Sequence, residues 1–251
     1  MEFFNLKIKL NSEKFLIKIL TLLTFLSILS TVFTSKYCGH SKLKRFQLHS
    51  KNQVGRAPLL NAEYDKEELK TFKELRILTD FTDLVSKDPN SANLTEKIKT
   101  EIIPKTMKVL SELFKVRRIK SITLNESHCA NEYKIPEKVF KDKKKETDLI
   151  IMVNYDQSGM YQKHRIEASA IHCFQDSTTK RPIVGLVTFR DSLKIKTEVD
   201  IDYLVWLTIH EISHVLLFNE DLYPSFIDEN LNPKLITDII FTENNKFGQK
   251  I

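Results

Sequence analysis

Glycine and proline are scarce in this sequence. The 251 residues include 5 Gly and 7 Pro, which excludes a collagen-like chain and a low-complexity chain. After the N-terminal segment, no apolar run reaches the roughly 18 residues that a membrane-spanning helix needs, so we expect a soluble body. Hydrophobic residues make up 41% of the chain and charged residues 29%, enough for a sizeable core and too apolar for wholesale disorder. The length suits one large domain or two small ones.

Most of the chain also lacks an excess of positive charge. The net charge of +6 comes from residues 1–45, which hold eight Lys/Arg and two Asp/Glu, whereas residues 46–251 hold 31 of each. A nucleic-acid-binding protein carries its basic residues as a patch on the folded body. We therefore expect no nucleic-acid partner.

The basic N-terminus precedes the longest apolar run of the chain, which spans residues 19–34. The lysines before it are Lys7, Lys9, Lys14 and Lys18. A basic region followed by an apolar region predicts a secretory signal peptide over residues 1–34, with an uncleaved signal anchor and membrane association as the alternative. Glycosylation sequons at Asn93 and Asn125 agree with this route. The expected location is extracellular or on the cell surface.

Cysteine is rare, and its count is odd. In a secreted chain, three cysteines suggest one disulfide and one further thiol. Cys129 and Cys173 flank predicted strands of the body, so they are the expected pair and Cys38 is left over. The alternative is that all three are buried thiols.

Residues 35–64 are polar and basic, and we interpret them as a pro-segment or linker before a domain over residues 65–251. Within this domain, apolar runs predict strands near residues 75–79, 117–124, 148–154, 166–173 and 182–189. Apolar residues at helical spacing predict a helix over residues 94–116, kinked at Pro104. A second helix is predicted over residues 203–218, capped by Asp200 or Asp202. The fold class is therefore α/β (α+β), with a mixed sheet and a prominent C-terminal helix.

The sequence His210-Glu211-Ile212-Ser213-His214 lies within that last helix. Positions i and i+4 share one helical face, so both imidazoles can bind one metal ion, and Glu211 can act on a water at that metal. The helix is nearly apolar all round and is therefore expected to be buried. Two histidines and a glutamate in such a helix favour a zinc site, while the alternative is a pair of hydrogen-bonded core histidines.

The motif and its surroundings resemble the leishmanolysin family of metzincin-type zinc endopeptidases. The resemblance covers several short blocks between residues 74 and 228. These blocks are Arg76-Ile77, Ile102-Ile103-Pro104, Ala168-Ser169-Ala170-Ile171-His172-Cys173, Arg181-Pro182-Ile183-Val184-Gly185, His210 to Phe218, Leu222-Tyr223 and Phe226-Ile227-Asp228. The resemblance implies a fold like the N-terminal subdomain of a metzincin.

The resemblance also implies roles for individual residues. His210 and His214 would be zinc ligands, and Glu211 would be the general base. The strand carrying Ala168, Ser169 and Ala170 would be the edge that pairs with a peptide or protein substrate. Cys38 is the candidate for a pro-segment thiolate that binds the zinc, with an incidental thiol as the alternative.

Two positions depart from the family pattern. Metzincins have a glycine where this chain has Leu217, whose side chain disfavours a left-handed turn. The family's third zinc histidine lies downstream, but no histidine follows His214. Candidate substitutes are Glu220, Asp221, Asp228, Asp238 and Glu243. We therefore expect a chain truncated before the third zinc ligand, or a non-catalytic surface or adhesion protein.

Overall fold

A computed structural model describes most of the chain after residue 58. The described residues are 59–64, 71–124, 128–129, 133–219, 221–228, 232 and 234–235, together with the short strands at 2–3 and 6–7. The predicted signal peptide and Cys38 otherwise lie outside these residues. The division of the chain into a signal, a pro-segment and a domain stays a prediction.

The centre of the structure is a mixed five-stranded sheet with the order β1-β4-β5-β3-β2. Its strands are β1 (Leu59–Leu60), β2 (Ile77–Asp80), β3 (Leu149–Tyr155), β4 (Ala168–Asp176) and β5 (Pro182–Phe189). Strand β3 runs parallel to both β2 and β5, whereas β4 and β5 are antiparallel. Strand β1 lies within the predicted pro-segment or linker and pairs in parallel with the end of β4.

The sheet has an apolar core on each face. Alternate residues of β3 belong to different cores: Ile151 and Val153 to one, Ile150 and Met152 to the other. Strands buried on both faces are expected to be almost continuously apolar. This burial explains why β3, β4 and β5 stand out in the sequence as apolar runs.

The helices lie mainly on the first face of the sheet. They are α1 (Ala92–Lys97), α2 (Ile103–Leu113), α3 (Glu137–Lys141), α4 (Met160–His164) and α5 (Glu198–Leu216). A π-helical turn over Ile98–Ile102 joins α1 to α2, immediately before Pro104. Proline has no amide hydrogen for the carbonyl four residues earlier and its ring crowds that carbonyl, so the helix is interrupted near the predicted position.

Helix α5 begins earlier than the sequence predicts. Thr197 is its N-cap, and Asp200 at the third helical position accepts a hydrogen bond from the Thr197 amide (2.8 Å) while the Asp200 amide donates to the Thr197 hydroxyl. This is a capping box. The prediction that Asp200 or Asp202 would cap the helix is wrong, because Asp200 contributes from inside the first turn.

The predicted strand over residues 117–124 is not part of the central sheet. Only Lys115–Val116 and Ser121–Ile122 are extended strands there, and both pair elsewhere. Between them, the Ile119 amide donates to the Asp148 carboxylate (2.6 Å), and its carbonyl accepts from Arg76. The prediction is wrong because this backbone binds charged side chains in place of a neighbouring strand.

The remaining elements are short. The other two-residue strands are Glu2–Phe3, Leu6–Lys7, Lys73–Glu74, His128–Cys129, Tyr133–Lys134 and Lys144–Lys145. Single 3-10 turns occur at Pro89–Ser91 and Tyr223–Ser225. Among the helices of the described residues, none combines the length and apolar character needed to cross a bilayer.

Candidate active site

Helix α5 packs closely against β4 and β5. Near its start, the Tyr203 hydroxyl donates to Glu167, just before β4. Near its end, Val215 lies on Gly185 of β5, where an added Cβ would be 2.6 Å from Val215 Cγ1. Small residues therefore let the helix approach the sheet, and they explain the need for glycine at position 185.

The helix brings His210 and His214 together. Their Nε2 atoms are 3.3 Å apart, and the ring centroids are separated by 4.9 Å with the ring planes nearly perpendicular. Both rings are half-buried. The i and i+4 spacing seen in the sequence thus brings the Nε2 atoms of the two rings close together.

A main-chain oxygen orients the second imidazole. The Nδ1 atom of His214 is 2.8 Å from the carbonyl oxygen of Phe218. A carbonyl can only accept a hydrogen bond, so Nδ1 carries the hydrogen and Nε2 carries the lone pair. This tautomer leaves Nε2 able to bind a metal.

The surroundings keep both histidines neutral at pH 7. Burial lowers the pKa of His210 to about 4, and the nearby His214 contributes in the same direction. Burial also lowers the pKa of His214, partly opposed by the Phe218 carbonyl. Because metal binding requires neutral imidazole, both rings are in the binding form.

Glu211 lies between these histidines in sequence and is fully buried at the helix–sheet interface. Burial is the main cause that raises the pKa of Tyr161 to about 12, and Asp156 and Glu211 contribute in the same direction. The motif therefore combines two neutral nitrogen donors with a carboxylate that is shielded from solvent.

The turn at Leu217 does not use the left-handed conformation that favours glycine. Leu217 ends α5 with φ −140° and ψ −55°, outside the left-handed region. The amides of Leu217 and Phe218 both donate to the Ser213 carbonyl, at 2.8 and 2.9 Å. The turn therefore forms without the glycine of the metzincin pattern.

In the part of the chain that the structure describes, no third His, Cys, Asp or Glu joins the imidazole pair in a metal-binding group. Of the candidate substitutes, Asp221 and Asp228 are described and do not complete such a group. Glu220, Asp238 and Glu243 lie outside the described residues.

The predicted substrate strand lies on the outer side of the sheet, beside the motif helix. Ala168 and Ala170 are buried in the core that α5 covers, whereas the Ser169 hydroxyl bonds to the Tyr161 hydroxyl. Strand β4 pairs with β5 along its length, but within the described residues β1 pairs only with Gln175 and Asp176.

Comparison with known proteins gives the family. A family model described as leishmanolysin matches residues 82–234, which is more than half of the chain. The chain belongs to the leishmanolysin family. A leishmanolysin-like peptidase of Caenorhabditis briggsae and one of Caenorhabditis elegans are each 30% identical to it over 105 residues, which are 42% of this chain. The chain matches only 15% of the length of these curated relatives.

The leishmanolysin-family match spans the motif helix and the strands β3, β4 and β5 beneath it, and the matched family is one of metallopeptidases. The structure also joins Cys129 to Cys173 in a disulfide, with Cα atoms 4.8 Å apart, as expected from the sequence. Cys38 lies outside the described residues.

Sequence reasoning missed two residues beside the site, His172 and Asn219. The Asn219 amide is 3.1 Å from His172 Nδ1, although the residues are 47 positions apart. An asparagine directly after an apolar helix is a signal that the sequence offers, but no neighbouring residue indicates its partner His172.

Proposed function

We propose that this chain is the zinc-binding part of a secreted or cell-surface metalloendopeptidase that hydrolyses peptide bonds. The observation that carries the proposal is the convergence of His210 and His214 on one point within a leishmanolysin-family helix. Glu211 follows His210 directly in the sequence, and its carboxylate is fully buried.

The geometry of the imidazole pair fits zinc. Zinc binds imidazole nitrogen at about 2.0–2.1 Å with tetrahedral angles, which separates two such nitrogens by about 3.3–3.4 Å. The two Nε2 atoms are 3.3 Å apart. The Phe218 carbonyl accepts a hydrogen bond from Nδ1 of His214 and so holds the tautomer with a lone pair on Nε2, as hydrogen-bond partners of zinc-binding histidines do. His210 and His214 would hold the ion.

A bound zinc supplies a Lewis acid for hydrolysis of the scissile amide. In the proposed reaction, the Glu211 carboxylate accepts a proton from the attacking water and then donates it to the leaving nitrogen as the C–N bond breaks. Burial excludes competing solvent from this carboxylate. The two histidines would hold the zinc ion, and Glu211 would transfer the proton from the water to the leaving nitrogen.

The outer edge of β4 is the proposed binding surface for the substrate backbone. An extended peptide can add to a sheet edge through main-chain hydrogen bonds. Residues Ala168, Ser169 and Ala170 lie beside the helix that carries His210 and His214, so a peptide paired there would pass close to the motif.

The proposed location is the secretory pathway, with release or retention at the cell surface. A disulfide within the sheet body supports an oxidising compartment. Membrane association would come from the N-terminal apolar segment. Cys38 is proposed as a pro-segment thiolate that binds the zinc before activation.

A second candidate function is a non-catalytic surface or adhesion protein. Catalytic zinc usually has three protein ligands and an open position, whereas the described residues provide two histidines in one group. The peptidase proposal therefore requires a third ligand from outside the described residues. The non-catalytic alternative does not.

Hydrolysis of unfolded casein by the purified chain, with and without zinc and a chelator, tests the proposal. We expect chelator-sensitive cleavage only when a third zinc ligand is supplied, and we expect Glu211→Gln to lose that cleavage while zinc binding remains. His210→Ala and His214→Ala should lose both. Glu198→Gln changes a glutamate in the first turn of the same helix and is the matched control.

Cleavage that persists in Glu211→Gln would refute the role of Glu211. Zinc binding by the wild type without cleavage, even when a third ligand is supplied, would favour the non-catalytic alternative. Failure of the wild type to bind zinc would refute both the proposed cofactor and the proposed peptidase activity.

A further inference from the structure

The orientation of the His214 ring depends on the turn that follows α5. Regular helix geometry ends at Leu216, and the ring is fixed by the carbonyl oxygen of Phe218, two residues later. The Phe218 side chain is 54% exposed and provides little anchoring for its own backbone. The next residue must therefore help to hold this carbonyl in place.

Asn219 is that next residue, and it is only 5% exposed. Its backbone amide donates to the Leu217 carbonyl (3.0 Å), and its carbonyl accepts from the amide of Leu222 (2.9 Å). Its side chain extends from the turn to the sheet, where Nδ2 lies 3.1 Å from Nδ1 of His172. Asn219 thus connects the end of the motif helix with β4.

The chemistry of its neighbours fixes the direction of the Asn219 amide. The Asp221 backbone amide can only donate, and it lies 3.1 Å from Oδ1. The NH2 group must therefore face His172, whose Nδ1 accepts the hydrogen bond. Both ends of a buried amide are satisfied, which is the arrangement expected of a residue with a defined position.

We propose that Asn219, held on β4 by His172, is a positioning residue for His214. The Asn219–His172 hydrogen bond fixes the turn, the turn fixes the Phe218 carbonyl, and that carbonyl selects the His214 tautomer with Nε2 available. The buried amide thereby performs the task that a glycine turn has in the metzincin pattern. The inference rests on the proposed function, because it assigns these residues to the support of a zinc ligand.

The same hydrogen bond links the metal ligands to the substrate strand. His172 lies two residues after Ala170 and opposite Gly185, on which Val215 packs. A single hydrogen bond therefore connects β4 with the turn that carries the Phe218 carbonyl. Loss of an outer-shell partner of a metal ligand typically weakens metal binding 10- to 100-fold.

Two measurements on the full chain test this inference. The first is the tautomer of His214 in metal-free protein, from 15N chemical shifts and long-range couplings of the imidazole. The second is the dissociation constant for Zn²⁺, from competition with a chromogenic chelator. In the wild type we expect only the tautomer with hydrogen on Nδ1.

Asn219→Ala and His172→Ala should each produce a mixture of His214 tautomers and weaken zinc binding about 10- to 100-fold. The double variant should bind zinc no more weakly than the weaker single variant, because both changes remove the same hydrogen bond. Asn61→Ala and His164→Ala are matched controls outside the turn and β4, and should retain the wild-type values.

A wild-type tautomer and a zinc affinity within twofold of the wild type, in either folded single variant, would overturn the inference. If Asn219→Ala fails to fold, His172→Ala decides, because it leaves the bond between Asn219 and Asp221 intact. If the wild type does not bind zinc, the peptidase proposal fails separately, and the tautomer of the metal-free protein still tests the positioning role.

Discussion

A histidine that loses its hydration becomes harder to protonate, and His210 shows the effect. Burial, assisted by His214, lowers its pKa from about 6.5 to about 4. Between these two values the unfolded chain binds a proton that the folded chain excludes. Protonation therefore favours unfolding, and stability is lost as the pH falls from 6.5 towards 4.

We expect the metal-free protein to have a lower Tm at pH 5 than at pH 7, with a steeper dependence on pH than in His210→Gln. Thermal unfolding in the presence of a chelator at several pH values measures the difference. His128→Gln removes an exposed histidine as the control and should leave the dependence unchanged. Parallel curves for the wild type and His210→Gln would contradict the shifted pKa.

The sequence predicts the residues of the motif, but not what orients them. The i and i+4 spacing is sufficient to place His210 and His214 on one face of a helix. The Phe218 carbonyl and the Asn219–His172 bond depend on the end of the helix and on a strand 47 residues away. No local pattern contains that information.

The distance between helix α5 and the sheet is set by small residues in the strands beneath the helix. Ala168, Ala170 and Gly185 present little side-chain volume, and Val215 occupies the space above Gly185. Because Val215 is one turn after Glu211 on the same helix, the height of α5 above the sheet also sets the depth of Glu211. Packing at Gly185 is thus coupled to the site.

Gly185→Ala should lower the free energy of unfolding by about 1–3 kcal/mol, since the new Cβ would meet Val215 at 2.6 Å. Val215→Ala removes both clashing methyl groups. The double variant should therefore be more stable than the sum of the two single changes predicts, and denaturant unfolding of all four proteins measures this coupling. Strict additivity would show that the contact does not limit the packing.

The ends of the helices and strands depend on specific hydrogen bonds that cannot be inferred from the hydropathy of the sequence. Apolar runs predict β3, β4 and β5 because these strands are buried on both faces. The segment over residues 117–124 contains apolar residues at Ile119, Ile122 and Leu124, but Ile119 donates its amide to Asp148. At the start of α5, the capping box makes Glu198 the first helical residue, five positions before the predicted start at Tyr203.

A buried ionic group joins the starts of three parallel strands. Asp148 precedes β3, Arg76 precedes β2 and Arg181 precedes β5. The Arg76 Nε is 2.9 Å from the Asp148 carboxylate, and Arg181 donates to the Asp148 carbonyl at 2.9 Å. Asp148 and Arg181 are almost completely buried. Asp148 therefore ties the starts of these strands together through both its carboxylate and its main-chain carbonyl.

Asp148→Asn should cost about 3–5 kcal/mol of stability, because it leaves the buried Arg181 without its nearest negative charge. Asp142→Asn removes the carboxylate of an exposed pair with Lys144 and should cost less than about 1 kcal/mol. Chemical denaturation provides both values. Equal effects of the two substitutions would show that Asp148 acts as an ordinary surface charge.

The order of elements along the chain has a consequence for biosynthesis. All five strands of the central sheet precede α5, so they leave the ribosome before the motif helix. Domains generally fold as units, so this domain is complete only once the motif helix has been made. Until residues 198–219 have been added, Ala168, Ala170 and Gly185 lack their cover and the imidazole pair does not exist. The proposed metal binding at His210 and His214 would therefore be among the last properties that the described part of the chain acquires on the ribosome.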